Sequence, residues 1–179
     1  MIKSAKIKYN EDVISKMKDK FGYGNDLAVP RVEKIIVNTG IGKINSEKDR
    51  IEEIVKDLQS VTGQMPVKTK AKKAISGFKI RENMEIGIKT TLRGERMWDF
   101  MDRLINAALP RTRDFQGISS NSVDKNGNLN IGIKEHIIFP EIFSEKVKNI
   151  FSLQITLATT AKDRKEGLEL FKLLGFPIK

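Results

Sequence analysis

The chain has 179 residues, no cysteine, a single histidine and a net charge of +10, with 33 lysines and arginines against 23 aspartates and glutamates. That length buries a core without staples, while the composition excludes disulfides, thiolate nucleophiles and metal sites built from cysteine or paired histidines. The basic excess draws polyanions. No apolar run approaches the roughly 18 to 20 residues that span a bilayer, and Met1 to Tyr9 lacks a secretion core, so a soluble cytoplasmic protein without a membrane partner is expected.

In chain order, Asn10 is placed to cap a helix whose apolar face is Val13, Ile14, Met17 and Phe21. After Pro30, the β-branched segment Val32 to Asn38 predicts a buried strand, ended by the glycine-rich Thr39-Gly40-Ile41-Gly42. Ser46 with Asp49 resembles a capping box for a helix carrying Ile51, Ile54, Val55, Leu58 and Val61 on one stripe, stopped by Gly63. Pro66 to Ala71 reads as a second strand and Ile86 to Leu92, with strict alternation, as a third. A helix from Glu95 to about Leu109 has Met97, Met101, Leu104 and Ala108 on its inner stripe, Trp98 and Ile105 beside it, and Pro110 after it. Residues 111 to 127 read as loop, with Asn126-Gly127 as a hairpin turn into a strand at Leu129 to Ile133. Ser144 is a candidate helix start, Leu153 to Thr160 a strand, and Lys162 to Leu174 a final helix ended by Gly175 and Pro177. The mixture predicts an α+β fold: one domain over residues 1–179, with a largely antiparallel sheet, helices packed on one face, and the other face left for a ligand.

Between Lys68 and Arg81, six cations (Lys68, Lys70, Lys72, Lys73, Lys79 and Arg81) stand without an acidic residue. Such a patch becomes favourable where phosphates replace water and counterions, although a lysine-rich loop kept for solubility has the same composition. Ile75, Gly77, Phe78 and Ile80 inside the run separate two uses: Phe78 stacking on a base, or Phe78 and Ile80 anchoring the loop to the core. Arg93, Arg96, Arg103, Arg111 and Arg113 form a second basic group. For Arg96 and Arg103, pairing with the nearby Glu95, Asp99, Asp102 and Asp114 is the plainer reading. Thr39 to Gly42 lacks the Gly-Lys-Ser/Thr of a P-loop and the third glycine of a dinucleotide fingerprint. His136 has no second histidine for a metal, and neither Ser119 nor Ser144 sits in a nucleophile turn, so catalysis, metals and cofactors are all expected to be absent. Charge alone would leave a general nucleic-acid-binding module open.

Several strings carry a more specific signal: Pro30-Arg31-Val32-Glu33-Lys34, Val37-Asn38-Thr39-Gly40-Ile41-Gly42, Thr62-Gly63-Gln64, Thr91 to Trp98, Leu109-Pro110-Arg111, Arg113-Asp114-Phe115, Ile137 to Ile142, Thr159-Thr160-Ala161 and Leu174-Gly175-Phe176-Pro177. In order and spacing they resemble the bacterial form of large-subunit ribosomal protein five, over nearly the whole chain. The resemblance implies a curved antiparallel sheet backed by helices, whose free face grips 5S rRNA in the central protuberance of the large ribosomal subunit, next to other proteins of that region. By motif, Asn38, Gln64 and Thr91 become polar contacts to that RNA, and Lys70 is one of the surrounding lysines that supply affinity. The segment Lys72-Lys73-Ala74-Ile75-Ser76-Gly77-Phe78-Lys79 matches the family's mobile basic loop, here about 72–82, which reaches peptidyl-site tRNA. Arg111, Arg113, Asp114 and Phe115 are candidates for an intersubunit bridge to small-subunit protein thirteen. Gln116 departs from the arginine expected after Phe115.

Overall fold

The computed structural model describes residues 4–44, 47–113, 115–142, 147 and 149–179. Five strands, β1 (Val32–Gly40), β2 (Val67–Lys70), β3 (Glu85–Leu92), β4 (Leu129–Ile133) and β5 (Leu153–Thr159), form one sheet in the order β2-β3-β1-β5-β4. Every neighbouring pair is antiparallel. β1 is the middle strand, paired with β3 on one side and β5 on the other.

The two faces of the sheet are set by the period-2 alternation of each strand. Ile35, Val37, Ile88, Leu92, Leu129, Ile155 and Leu157 all point to one side and are fully buried. Helices α3 (Lys48–Thr62), α4 (Gly94–Arg103) and α5 (Arg164–Leu174) contribute Leu58, Phe100, Met101, Leu170 and Phe171 to the same core. At roughly 1.5 to 3 kcal/mol per fully buried aliphatic or aromatic side chain, this layer holds the sheet against its helices and fixes which face is left over. The helix α3 stripe is the expected one, and Gly63 ends it in the left-handed conformation, φ 66°.

Several local expectations change. Asn10 does not cap the first helix. Helical structure begins at α1 (Ala5–Lys8), with the Ser4 side chain accepting from the Ile7 amide, and continues through a π-helical turn, Tyr9–Val13, into α2 (Ile14–Phe21). Ala5, Tyr9, Val13 and Met17 are buried at four-residue spacing, so Asn10 sits inside a continuous stripe that starts one turn earlier than its cap-like chemistry indicates. This N-terminal helix is tied to α4 by the Asp102 carboxylate, which accepts from the Ala5 amide at 2.7 Å, and by a Lys6–Glu95 ion pair.

The fourth helix is also less regular than its sequence stripe. After Arg103 it loosens to a π turn, Leu104–Ala108, and then to a short 3₁₀ turn, Leu109–Arg111, at Pro110. Asn126-Gly127 does make a turn, with the Asp124 carboxylate accepting from the Asn126 and Asn128 amides. It does not make a hairpin: the residues before it form a 3₁₀ turn, Ser120–Ser122, and only Val123 bridges to Leu129. The main partner of β4 is instead β5. The helix starts expected at Ser46 and Ser144 lie outside the described residues; Glu47 precedes α3 without a side-chain capping bond.

Candidate nucleic-acid interface

The face of the sheet that the helices leave uncovered is built in rows, because residues directly opposite one another on antiparallel strands share a face. One row reads Val67, Lys89, Asn38, Gln154 and Gly132 across all five strands. The next reads Thr91, Ile36, Thr156 and Asn130, and on the other side Thr69, Gly87 and Gly40 stand together. Asn38, Lys89, Gln154, Gly40 and Gly132 are exposed, and Thr91, Thr156 and Asn130 half-buried.

The chemistry of this face is mainly that of uncharged donors and acceptors, with Lys89 near its centre. Thr156 donates to the Asn130 side-chain carbonyl at 2.7 Å, so part of the polar lattice is already ordered. Glycines complete it. A Cβ at Gly87 would lie 2.7 Å from Thr69 Oγ1 and 3.3 Å from the Thr39 carbonyl, whereas at Gly40 and Gly132 it would meet open space. Gly87 is therefore required by the sheet itself, and the other two leave backbone bare for close approach.

Of the residues singled out from the sequence, Asn38 and Thr91 stand on this face, diagonally placed on the neighbouring strands β1 and β3. Gln64, just beyond α3, joins them: its Nε2 donates to the Thr91 carbonyl at 3.2 Å. Thr62 holds that corner by donating to the Leu58 carbonyl at 2.6 Å. Lys70 is exposed at the end of β2, beyond a register shift. Thr39 faces the other way, buried, and donates to the Ser152 carbonyl at 2.7 Å. Lys89, Asn130, Gln154 and Thr156 are members of the face that sequence reasoning misses. Alternation along Leu153 to Thr159 marks Gln154 and Thr156 as outward, but only the strand order brings them beside Asn38.

The basic loop leaves the sheet between β2 and β3. Ala71 and Met84 close its base, and reciprocal backbone bonds between Ile75 and Ile80, at 2.9 and 3.1 Å, close its tip around the 3₁₀ turn Ser76–Phe78. Lys79 follows in the left-handed conformation. Lys72, Lys73, Ser76, Gly77, Phe78 and Lys79 are all exposed. Phe78 is 76% exposed, so it does not anchor the loop to the core. Lys68, at the start of the run, pairs with Glu85 at 3.1 Å across β2 and β3.

Arg111 and Arg113 are exposed beside the opposite edge of the sheet, and Phe115 packs partly against the core; Asp114 lies outside the described residues. Arg113, Phe115, Asn130 and Gly132 border one cavity of about 370 Å³ next to β4. Arg103 does pair internally, with Glu141, distant in sequence; among the described residues no ion pair joins it to Glu95, Asp99 or Asp102.

His136 is fully buried and stacked on Phe151 with ring centroids 3.9 Å apart. Its Nδ1 accepts from the Phe151 amide at 3.4 Å, and its Nε2 lies 3.5 Å from the Asp57 carboxylate. Burial lowers its pKa, opposed by Asp57; burial raises that of Asp57, opposed by His136. Ser119 caps a 3₁₀ turn. These are structural tasks, and among the described residues no group of acids and histidines is arranged to hold a metal.

Two family models match the chain: ribosomal protein L5 over residues 25–81, and the C-terminus of the same ribosomal family over residues 85–178. The chain belongs to the ribosomal L5 family. The boundary between the two matches falls inside the basic loop, yet one sheet runs across it, since β2 on one side pairs with β3 on the other. The large ribosomal subunit protein uL5 of Halothermothrix orenii is 52% identical over 169 residues, covering 94% of each chain. That of Microcystis aeruginosa is 49% identical over the full length of both, and that of Clostridium botulinum strain Loch Maree 51% identical over 95% of this chain and 94% of its own. As a member of this family the chain is a ribosomal protein with a structural, non-enzymatic role. No helix among the described residues is long and apolar enough to cross a membrane.

Proposed function

We propose that this chain is a structural constituent of the cytoplasmic large ribosomal subunit that binds 5S rRNA through the open face of its sheet and helps attach it in the central protuberance. The observation that carries this reading is the set of rows holding Asn38, Thr91, Gln154, Thr156 and Asn130 on an exposed, mainly uncharged face. Neutral polar groups on a fixed frame suit ribose 2′-hydroxyls and base edges of a folded RNA, recognised by shape. Lys70 and Lys89 add attraction to phosphate.

The loop carrying Lys72, Lys73, Ser76, Gly77, Phe78 and Lys79 stands off the sheet and contacts peptidyl-site tRNA. The segment of Arg111, Arg113, Asp114 and Phe115 meets small-subunit protein thirteen in an intersubunit bridge. A competition gel shift tests the central statement: labelled 5S rRNA stays bound in the presence of an equal-length unrelated RNA. Equal competition by both RNAs would reduce the chain to a general nucleic-acid binder. Deleting residues 74–80 leaves 5S rRNA binding intact and lowers crosslinking to tRNA in assembled ribosomes.

A further inference from the structure

The sheet has two edges, and they are built differently. β2 is four residues long, carries Lys68 and Lys70, and is interrupted by a register shift between Thr69 and Lys70, all devices that keep an edge from pairing further. β4 has none of them: Leu129 to Ile133 holds no charge and no proline, and it pairs with β5 in unbroken register. The groups it turns outward follow from its first residues. The Asp124 amide donates to the Asn128 carbonyl at 2.9 Å, and the Asn128 amide donates to the Asp124 carboxylate at 2.8 Å, so Asn128 turns its backbone away from β5. Backbone direction alternates along an antiparallel strand, and Asn130 and Gly132 therefore point the same way. Val123 bridges the start of this edge, at Leu129. Further along, no backbone bond among the described residues meets the Asn130 carbonyl or the Gly132 amide and carbonyl.

Two cavities follow this edge in turn: one of about 370 Å³ beside Asn130 to Ile133, and one of about 320 Å³ beside Gly132 to Glu135, with Arg113 on the wall of both. Leu109 and Ile118 line the first and Ile138 the second. Arg113 and Lys134 are exposed cations there, set against one lining carboxylate, Glu135. We infer that this edge receives an extended peptide segment of a neighbouring protein as a sixth strand, its aliphatic side chains at alternate positions entering the two cavities and its acidic ones lying at Arg113 and Lys134. Main-chain bonds supply the affinity of such strand addition, and pockets beside alternate residues supply the selection. An RNA strand has no row of alternating amides and carbonyls to match Gly132, and its phosphates gain nothing from Leu109, Ile118 and Ile138. The bridge reading gives side-chain contacts to Arg111, Arg113, Asp114 and Phe115. Backbone pairing at Gly132 goes beyond it and stands without Arg111, which lines neither cavity.

The test follows the Gly132 amide of the isotope-labelled full chain by NMR while an end-blocked hexapeptide alternating valine and glutamate is added to millimolar concentration. The Gly132 resonance moves downfield, and its hydrogen exchange slows about tenfold or more as the new bond forms. The same six residues arranged as a valine block and a glutamate block bind about tenfold more weakly, since they cannot fill alternate pockets. Lysine in place of glutamate costs about as much, through repulsion from Arg113 and Lys134. Gly132→Pro removes the outward N–H, which the sheet does not use, and weakens binding of the labelled peptide about fivefold or more for the lost bond, with the unfolding midpoint retained. Should that variant fold poorly, N-methylation of the peptide's edge-facing amides makes the same test on the unaltered chain. A Gly132 resonance unmoved at millimolar peptide, equal binding of the alternating and block peptides, or the same shift produced by pentauridylate would overturn the inference. Failure of the bridge reading shows separately, as undiminished subunit association by Arg111→Gln.

Discussion

The open face of the sheet and the basic loop are adjacent, yet they are made from opposite materials. The face spans five hydrogen-bonded strands in fixed register and presents mainly asparagine, glutamine, threonine and glycine, with Lys89 near its centre. The loop hangs from the sheet by backbone bonds at Ala71, Asn83 and Met84 and presents Lys72, Lys73, Lys79 and Arg81 around one exposed aromatic. Long-range attraction needs charge but little geometry, whereas telling one folded RNA from another needs geometry and little charge. The division of residues between the two regions follows that division of labour.

The largest effect comes from breaking the frame that gives the face its geometry. Leu157 and Thr156 are adjacent in β5 and point to opposite sides. Leu157→Ala removes a fully buried side chain and is expected to cost roughly 2 to 5 kcal/mol in urea unfolding, while Thr156→Ala costs only the bond to Asn130, about 1 kcal/mol, and loses RNA affinity as well. Similar unfolding curves for the two would mean that the faces have been assigned wrongly. Next in size, Asn38→Ala or Thr91→Ala loses about 1 kcal/mol or more of 5S rRNA affinity per buried hydrogen bond, roughly fivefold, with unchanged salt dependence. Gln64→Ala adds a structural component, because it releases the Thr91 carbonyl.

How much of this is legible without coordinates depends on the range of the interactions. The strands and the α3 stripe follow from local periodicity, and the chain yields them directly: β4 and the burial of Ile51, Ile54, Val55, Leu58 and Val61 are as read. Asn38, Gln64 and Thr91 come from the family resemblance, and the structure adds that they are neighbours. What local reading misses is set by long-range pairing. Gln154, Thr156 and Asn130 become part of the face only because β5 crosses to lie beside β1 and β4 takes the edge next to it. The hairpin expected at Asn126-Gly127 is cut to a single antiparallel bridge, Val123 to Leu129, because the residues before it form a 3₁₀ turn and not a strand. Asn10 misleads because a good capping residue is tolerated inside a helix whose apolar stripe, from Ala5 to Met17, overrides it.

The loop supplies a smaller and differently shaped effect. Replacing Lys72, Lys73 and Lys79 together by glutamine removes charge without touching the fold, since all three are exposed. In titrations of tRNA against assembled ribosomes, each phosphate left without its lysine lowers the slope of log affinity against log salt by about 0.7 to 0.9. Affinity for isolated 5S rRNA at physiological salt changes little. Weaker discrimination between 5S rRNA and an unrelated RNA in this triple variant would show that the loop, too, reads sequence or shape, and the two regions would no longer divide the labour.

The smallest effect is on the scaffold that both regions share. Burial holds the His136 imidazole below its ordinary pKa of 6.5, so the unfolded chain takes up a proton as pH falls through that value while the folded chain resists it. Stability from this residue is therefore fully present above about pH 6.5 and declines below it, until the folded pKa is passed. Asp57, raised by burial from 3.8, works in the other direction at lower pH: the folded state keeps its proton longer, so its contribution is present at the acid end and is lost as pH rises through the folded value. Between pH 7 and the acid limit of folding the two are separable by substitution. His136→Gln forfeits the stacking on Phe151 at every pH, and its urea midpoint then falls less than that of wild type between pH 7 and pH 5. Parallel pH profiles would place the acid sensitivity elsewhere. A wild-type profile in which 5S rRNA binding fails well before the fold does would show that groups other than Asn38, Thr91, Gln154, Thr156 and Asn130 carry the binding, because asparagine, glutamine and threonine side chains have no chemistry to titrate.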